Sequence, residues 1–254
     1  MTLPPPATPP RRVLLTGAAG RIGTNFRREY GDRYALRLAD RESAPLAAVG
    51  DQEALTFDIA DLDACRRACA GIDTVIHLAA DPSPRADFHD SLLANNVAGT
   101  YNIFRAARDA DCRRVIFASS INAVDAYPPD VQIAPDDPIR APNMYGVSKA
   151  FGEATARYFA DREGLSALCI RIGAYDAGRP NAPVTQARLA VYVSPRDLNQ
   201  LLVRCIETSV HFAIVNGISD NRYKRLDISS ARDLLGYAPQ DDAFRLFDIT
   251  LPAE

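Results

Sequence analysis

Between Arg12 and about Arg171 the chain alternates short apolar runs with stretches of helical period, and that alternation leaves few folds open. The runs are 13–15, 35–38, 54–57, 74–78, 115–118 and 167–170. Each is aliphatic or β-branched and nearly free of polar alternation, which is how a strand covered on both faces reads. Between them, 62–70, 92–110 and 145–163 repeat apolar residues at helical spacing. Strand and helix in turn predict an α/β fold, a doubly wound parallel sheet with helices on both faces.

After Ile172 the pattern loosens. Residues 173–186 are rich in Gly, Pro and Asn and read as a long loop, and loops of that length usually serve function. Ser194-Pro195-Arg196-Asp197 then opens a helix through Glu207, with a serine cap, proline in the first position and an acid in the first turn. A short strand near 212–215 and a helix from Ser229 or Ser230 to about Gly236 complete the chain.

Composition removes several function classes. With 29 basic and 32 acidic residues the formal charge is −3, so neither a strongly basic nucleic-acid binder nor a membrane-surface protein is expected. No apolar run approaches the roughly 18 residues of a spanning helix. The opening MTLPPPATPP carries five prolines and no apolar stretch, so it reads as a disordered extension rather than a secretory signal. Five scattered cysteines argue against a disulfide framework and for a reducing compartment, hence a cytoplasmic location. Cys65 and Cys69 share a helix face, but with only three histidines in the chain no metal site is expected.

Two motifs carry chemistry. Thr16-Gly17-Ala18-Ala19-Gly20-Arg21-Ile22-Gly23 follows the first strand and opens a helix. Glycines there let the backbone turn and approach a pyrophosphate, whose charge sits on the helix N-terminus. This makes the sheet a Rossmann-type one. Asp40 ends the second strand, where a carboxylate accepts the adenosine ribose hydroxyls and repels a 2′-phosphate, favouring NAD. Arg41 follows and leaves NADP open. The second motif joins Ser119-Ser120, at the end of the fifth strand, to Tyr145-Gly146-Val147-Ser148-Lys149 on the next helix. Tyr145 and Lys149 stand at i, i+4 on one face, so an ammonium neighbours the phenol and favours its ionised form. Tyr145 is then a general base, and Ser120 orients the substrate oxygen.

Together these pieces resemble the extended short-chain dehydrogenases/reductases of the NAD-dependent epimerase/dehydratase family. The resemblance rests on TGAAGRIG, LAD, FDIAD, VIHLAA, NNVAGTYN, VIFASS, MYGVSK and the RIGAY turn, and spans residues 12 to about 175. It implies catalytic Ser120, Tyr145 and Lys149. It implies Gly17, Gly20, Arg21, Ile22 and Gly23 at the pyrophosphate, Asp40 at the ribose, and Asp58 and Ile59 beside adenine. Leu78, Ala79, Ala80 and Asn96 would follow the cofactor, with Tyr145, Lys149 and Ile172 at its nicotinamide end. Residues 1–11 are then the extension, 12–172 the NAD-binding domain, and 173–254 a small C-terminal substrate-binding lobe.

Only about 80 residues follow Ile172, too few for the larger lobe of the sugar-nucleotide enzymes, so a smaller substrate is expected. The subgroup it most resembles is uronate dehydrogenase. That likeness implies an arginine gripping the sugar-acid carboxylate, with Arg188 in place and Arg179 a competitor in the same loop. A guanidinium fork suits a carboxylate. Two departures stand out: Ser119-Ser120-Ile121-Asn122 replaces Ser-Ser-Asn-His, and Ala174 replaces a serine. Asn122 and Ser83 are expected to meet sugar hydroxyls instead. Other sugar alcohols, sugar-nucleotide epimerase or dehydratase chemistry, and a non-catalytic dinucleotide sensor remain alternatives. The resemblance also implies a homo-oligomer, most simply a dimer, pairing the 92–110 and Tyr145 helices.

Overall fold

The computed structural model describes residues 3, 5–41, 52–175 and 185–249. Its centre is a seven-stranded, wholly parallel sheet in the order β3-β2-β1-β4-β5-β6-β9. The strands are β1 (Arg12–Thr16), β2 (Ala35–Asp40), β3 (Glu53–Thr56), β4 (Thr74–His77), β5 (Arg114–Ser120), β6 (Ser166–Ile172) and β9 (Phe212–Gly217). The order reverses between β1 and β4, and a crevice opens beyond the carboxyl ends at such a switch point.

Two apolar layers sandwich the sheet. On one face α1 (Arg21–Tyr30) and α6 (Pro195–Glu207) pack over Val13, Leu15, Ile116 and Ile170. On the other, α2 (Leu62–Cys69), α3 (Gly99–Asp109) and α4 (Met144–Glu163) cover Leu14, Val75, Phe117 and Cys169. Alternation along each strand sends neighbours to opposite layers, and each fully buried aliphatic side chain contributes about 1.5–3 kcal/mol.

Three expectations are revised. The segment beyond Ile172 is not one lobe: α6 and β9 return to the main sheet, and β9 pairs with β6 from Ala167↔Phe212 to Ile172↔Gly217. What remains is a small unit of β7 (Ala174–Tyr175), α5 (Gln186–Leu189), β8 (Tyr192–Val193) and α8 (Ala243–Leu246), while α7 (Ser229–Leu235) packs Ala231 and Leu235 into the main core. Buried Asp197 holds the tail of that unit, accepting from the Gln240 and Asp241 amides at 2.8 and 3.0 Å. Second, the proline-rich start is not wholly detached, since Leu3 packs half-buried against the main core. Third, the expected helix 92–110 begins earlier and wide. Phe88–Ala98 form a π-helix before α3 takes up α-helical spacing. Asp87 caps it, and the Leu92 amide reaches back five residues to Asp87 O at 3.1 Å. Such wide turns gather at functional sites.

No helix among the described residues is long and apolar enough to cross a membrane. No group of three or more His, Cys, Asp or Glu among them is placed to hold a metal ion.

Candidate active site

The glycine loop forms one wall of a cavity of about 500 Å³ over the carboxyl ends of β1, β2 and β4. Gly17 sits at φ +71, and a Cβ there would lie 2.8 Å from the Ala79 amide nitrogen, so β4's exit and the loop touch backbone to backbone. Only glycine permits both. Gly20 caps α1 without a side chain, leaving the first amides of that helix for an anion. Gly20, Arg21, Ile22 and Gly23 all face the cavity, as do Asp40, Ile59, Leu78, Ala79 and Ala80. The Asp40 carboxylate accepts from the Ala19 and Arg41 amides at 2.9 and 2.8 Å, which aims it into the cavity mouth. Arg21 reaches across to Tyr175 O at 3.4 Å. A cradle whose closest wall a single Cβ would fill fits a dinucleotide.

Some expected cofactor residues lie elsewhere. Asp58 is exposed, with one carboxylate oxygen accepting from the Ala60 amide at 2.9 Å, while its neighbours Phe57 and Ile59 line the cavity. Asn96 is buried, donating to Asp81 O and Ser148 Oγ at 3.1 Å each and accepting from the Asp81 amide at 2.8 Å. It ties the β4 exit to α4, while Asn95 faces the cavity. Neighbours leave any helix on different faces, about 100° apart in an α-helix, so the packing of the Phe88–Ala98 helix decides which asparagine of the pair faces the cavity. Ile172 is buried in the core at the end of β6, beside Ser120 in register.

The second motif assembles at the end of β5. The Ser120 hydroxyl lies close enough to the Tyr145 phenol to act on its titration. Its Oγ accepts from the Asn122 amide at 3.2 Å. One turn along α4, Lys149 Nζ lies 5.6 Å from the Tyr145 ring centre and 5.1 Å from that of Phe117. All three catalytic candidates are buried and together. Asn143, absent from the expected set, organises this corner: its Oδ1 caps α4 at the Gly146 amide, 2.8 Å, and its Nδ2 donates to Asn122 Oδ1, 2.9 Å. An asparagine just ahead of a helical run is a legible cap signal.

A family model for the NAD dependent epimerase/dehydratase family matches residues 13–181. The chain belongs to that family. Among its relatives, the NAD-dependent glucose-6-phosphate dehydrogenase of Haloferax volcanii is 40% identical over 249 residues, covering 91% of this chain and 94% of that protein. A uronate dehydrogenase of Pseudomonas putida is 37% identical, covering 93% and 86%. The uronate dehydrogenase of Agrobacterium tumefaciens, solved as a tyrosine-to-alanine variant with NAD, superposes with a TM-score of 0.84 at 33% identity, covering 96% and 91%.

The electrostatics of this epimerase/dehydratase site amend one expectation. Burial pushes the Tyr145 phenol above its ordinary value, the Ser120 hydroxyl pulls it back, and the charge of Asp81 raises it again. Burial also brings the Lys149 ammonium down to about 8. Lys149 alone therefore does not bring Tyr145 to working pH, because desolvation opposes it. Beneath them His77 is fully buried, its Nδ1 2.8 Å from Thr16 Oγ1, and burial lowers it to about 3, so it is neutral.

Of the substrate candidates, Asn122 lies beside Ser120, whereas exposed Ser83 accepts from the Arg85 amide at 3.2 Å in its own turn. Arg188 is half-buried on α5, whose Thr185 cap accepts from the Arg188 amide at 3.2 Å. Val191, three residues on, accepts from the Ala174 amide at 2.7 Å, which sets α5 near the end of β6. Arg179 lies outside the described residues.

Proposed function

We propose that this chain oxidises a free sugar at its anomeric carbon with NAD, a hexuronate foremost, giving the aldarolactone. The neighbouring Ser120 and Tyr145 hydroxyls, with Lys149 one turn away and a dinucleotide cradle alongside, carry the reading. When bound, NAD accepts the hydride that the carbon loses. Tyr145 Oη takes the hydroxyl proton, and Ser120 Oγ holds that hydroxyl in line. Lys149 supplies the positive charge that offsets the burial cost of a phenolate. Asp40 would hold the adenosine ribose, and the amides opening α1 the pyrophosphate. Arg188 would grip an anionic group at the far end of the sugar, fixing which carbon reacts. The relatives named for uronate and glucose 6-phosphate share a sugar carrying an anion, which supports that assignment.

The test is NADH formation from glucuronate, galacturonate, glucose 6-phosphate, their neutral aldoses and common nucleotide sugars. Net NADH with an anionic free sugar is the expected result. Turnover of a nucleotide sugar without net NADH rejects it.

We also infer a homodimer. Met144, Val147, Phe151 and Tyr158 form an exposed apolar stripe on α4, with Leu93 and Tyr101 exposed on the preceding helical segment. A second copy of the same stripe would cover it about a two-fold axis. Light scattering at micromolar concentration should give twice the chain mass; a monomer refutes the pairing. The five free, buried thiols fit a cytoplasmic location.

A further inference from the structure

Behind the catalytic pair lies a buried ionic cluster that the reaction itself does not use. Glu153 stands on α4 two turns beyond Tyr145 and one beyond Lys149, and is 3% exposed. Its Oε1 accepts from Ser119 Oγ on β5 at 2.6 Å and from Arg171 Nε on β6 at 2.8 Å. Its Oε2 accepts from Arg171 Nη2 at 2.9 Å. The remaining reach of Arg171 goes to Pro135 O at 3.1 Å, in the loop between β5 and α4. One carboxylate thus grips two strands and, through Arg171, that loop.

The grip is placed where it matters for chemistry. Phe117 and Ser119 alternate onto the α4 face of β5, and Ser120, the next residue, lies beside the Tyr145 phenol. A Cβ on Gly152 would run into the Phe117 ring, so α4 lies flush on β5 at that level. Lys149 then rests over Phe117. Any shift of α4 along β5 moves Tyr145 relative to Ser120 by the same amount. An apolar contact tolerates sliding, whereas a bidentate ion pair fixes both distance and angle.

We propose that Ser119, Glu153 and Arg171 are positioning residues that set the register of α4 on β5 and β6, and thereby hold Tyr145 against Ser120. The proposal rests on the oxidoreductase reading of the site. The charged groups facing Tyr145 among the described residues are Asp81, in the loop after β4, and Lys149 on its own helix. Removing the Glu153 charge would by itself lower the Tyr145 titration, so a rise in a Glu153 variant reports geometry.

The experiment compares wild type, Ser119→Ala, Glu153→Gln and the apolar triple Ser119→Ala/Glu153→Leu/Arg171→Met. Each is measured by Tm, by NADH affinity and by titration of ¹³Cζ-labelled tyrosine in the free protein and its NAD complex, with Tyr145 assigned from Tyr145→Phe. Loss of the Ser120 contact should raise the Tyr145 titration by about half a pH unit or more in Glu153→Gln and in the triple. Turnover should fall about tenfold while NADH affinity holds. The triple should recover Tm without recovering turnover. If it recovers both, or if Tyr145 titrates as in wild type in every variant, the cluster is only structural and the proposal fails. Ser119→Ala removes one hydroxyl and keeps the test alive should the triple not fold; a wild-type titration there overturns it too. Tyrosine titration needs no sugar, so absence of sugar oxidation in the wild type refutes the functional reading alone.

Discussion

The two ends of the active-site crevice are built from different materials. At the cofactor end the wall is backbone: Gly17 against Ala79, the first amides of α1, and strand ends whose parallel register fixes their spacing. Beyond Ser120 the scaffold is side chains bonded between elements. Beside Ser120, Asn122 accepts from Asn143; farther out, buried Asn216 donates to Ile133 O at 3.1 Å, and Arg225 spans Asp125 Oδ1 at 3.2 Å and Tyr127 O at 2.7 Å. Backbone walls accept few substitutions because any Cβ collides. Side-chain walls are rebuilt one residue at a time. Relatives at 40% and 37% identity bear names for different sugars, as expected if the second wall is where specificity changes.

That contrast is open to attack by substitution. Lys149 stands at the seam. Its burial lowers it from 10.5 to about 8, so the charged form's desolvation cost is present in full below pH 8 and fades as pH rises toward 10.5. Lys149→Met should therefore gain up to about 3 kcal/mol of stability at pH 7, a gain that shrinks toward pH 10, while turnover collapses. Denaturant melts across that range check it; a gain independent of pH contradicts the burial argument. Gly17→Val should next cost NAD affinity by up to about 100-fold, from left-handed strain and the Ala79 collision. Calorimetry showing unchanged affinity would move the cradle elsewhere and end the comparison.

Arg188→Ala sharpens the other end. It should raise KM for an anionic sugar by about tenfold or more, the worth of a charge-assisted hydrogen bond, and leave the neutral aldose nearly unaffected. Equal loss on both would show that Arg188 does not grip the anion. The smallest effect belongs to Asp40→Asn, which should lower the NAD-over-NADP ratio of kcat/KM by a few-fold, as expected from one weakened hydrogen bond and a lost repulsion. Wild-type preference for NADP would instead give the ribose end to Arg41.

How far the sequence reveals each end follows from the same difference. Strand runs, the glycine loop and the Tyr145–Lys149 spacing are local patterns, and the structure places them as read. The Asn95–Asn96 exchange is invisible because the wide turn at Phe88–Ala98 depends on tertiary packing rather than on any residue period. Asp58 presents the same letter whether it meets adenine or caps its own turn at Ala60. The return of Pro195–Glu207 and Phe212–Gly217 to the sheet is long-range, and a lone apolar strand carries no mark of which neighbour it pairs with. The Ser119–Glu153–Arg171 cluster joins three elements, so no window of sequence contains it.

The most direct test of the account is steady-state NADH formation by wild type and Tyr145→Phe on the anionic free sugar that the substrate panel selects, with NAD affinity measured for both. Wild type should accumulate NADH. Tyr145→Phe should keep its cofactor affinity and lose about 10²–10⁴ in turnover, the span of a missing general base. Turnover in Tyr145→Phe within a few-fold of wild type would contradict the assignment of Tyr145 as the proton acceptor.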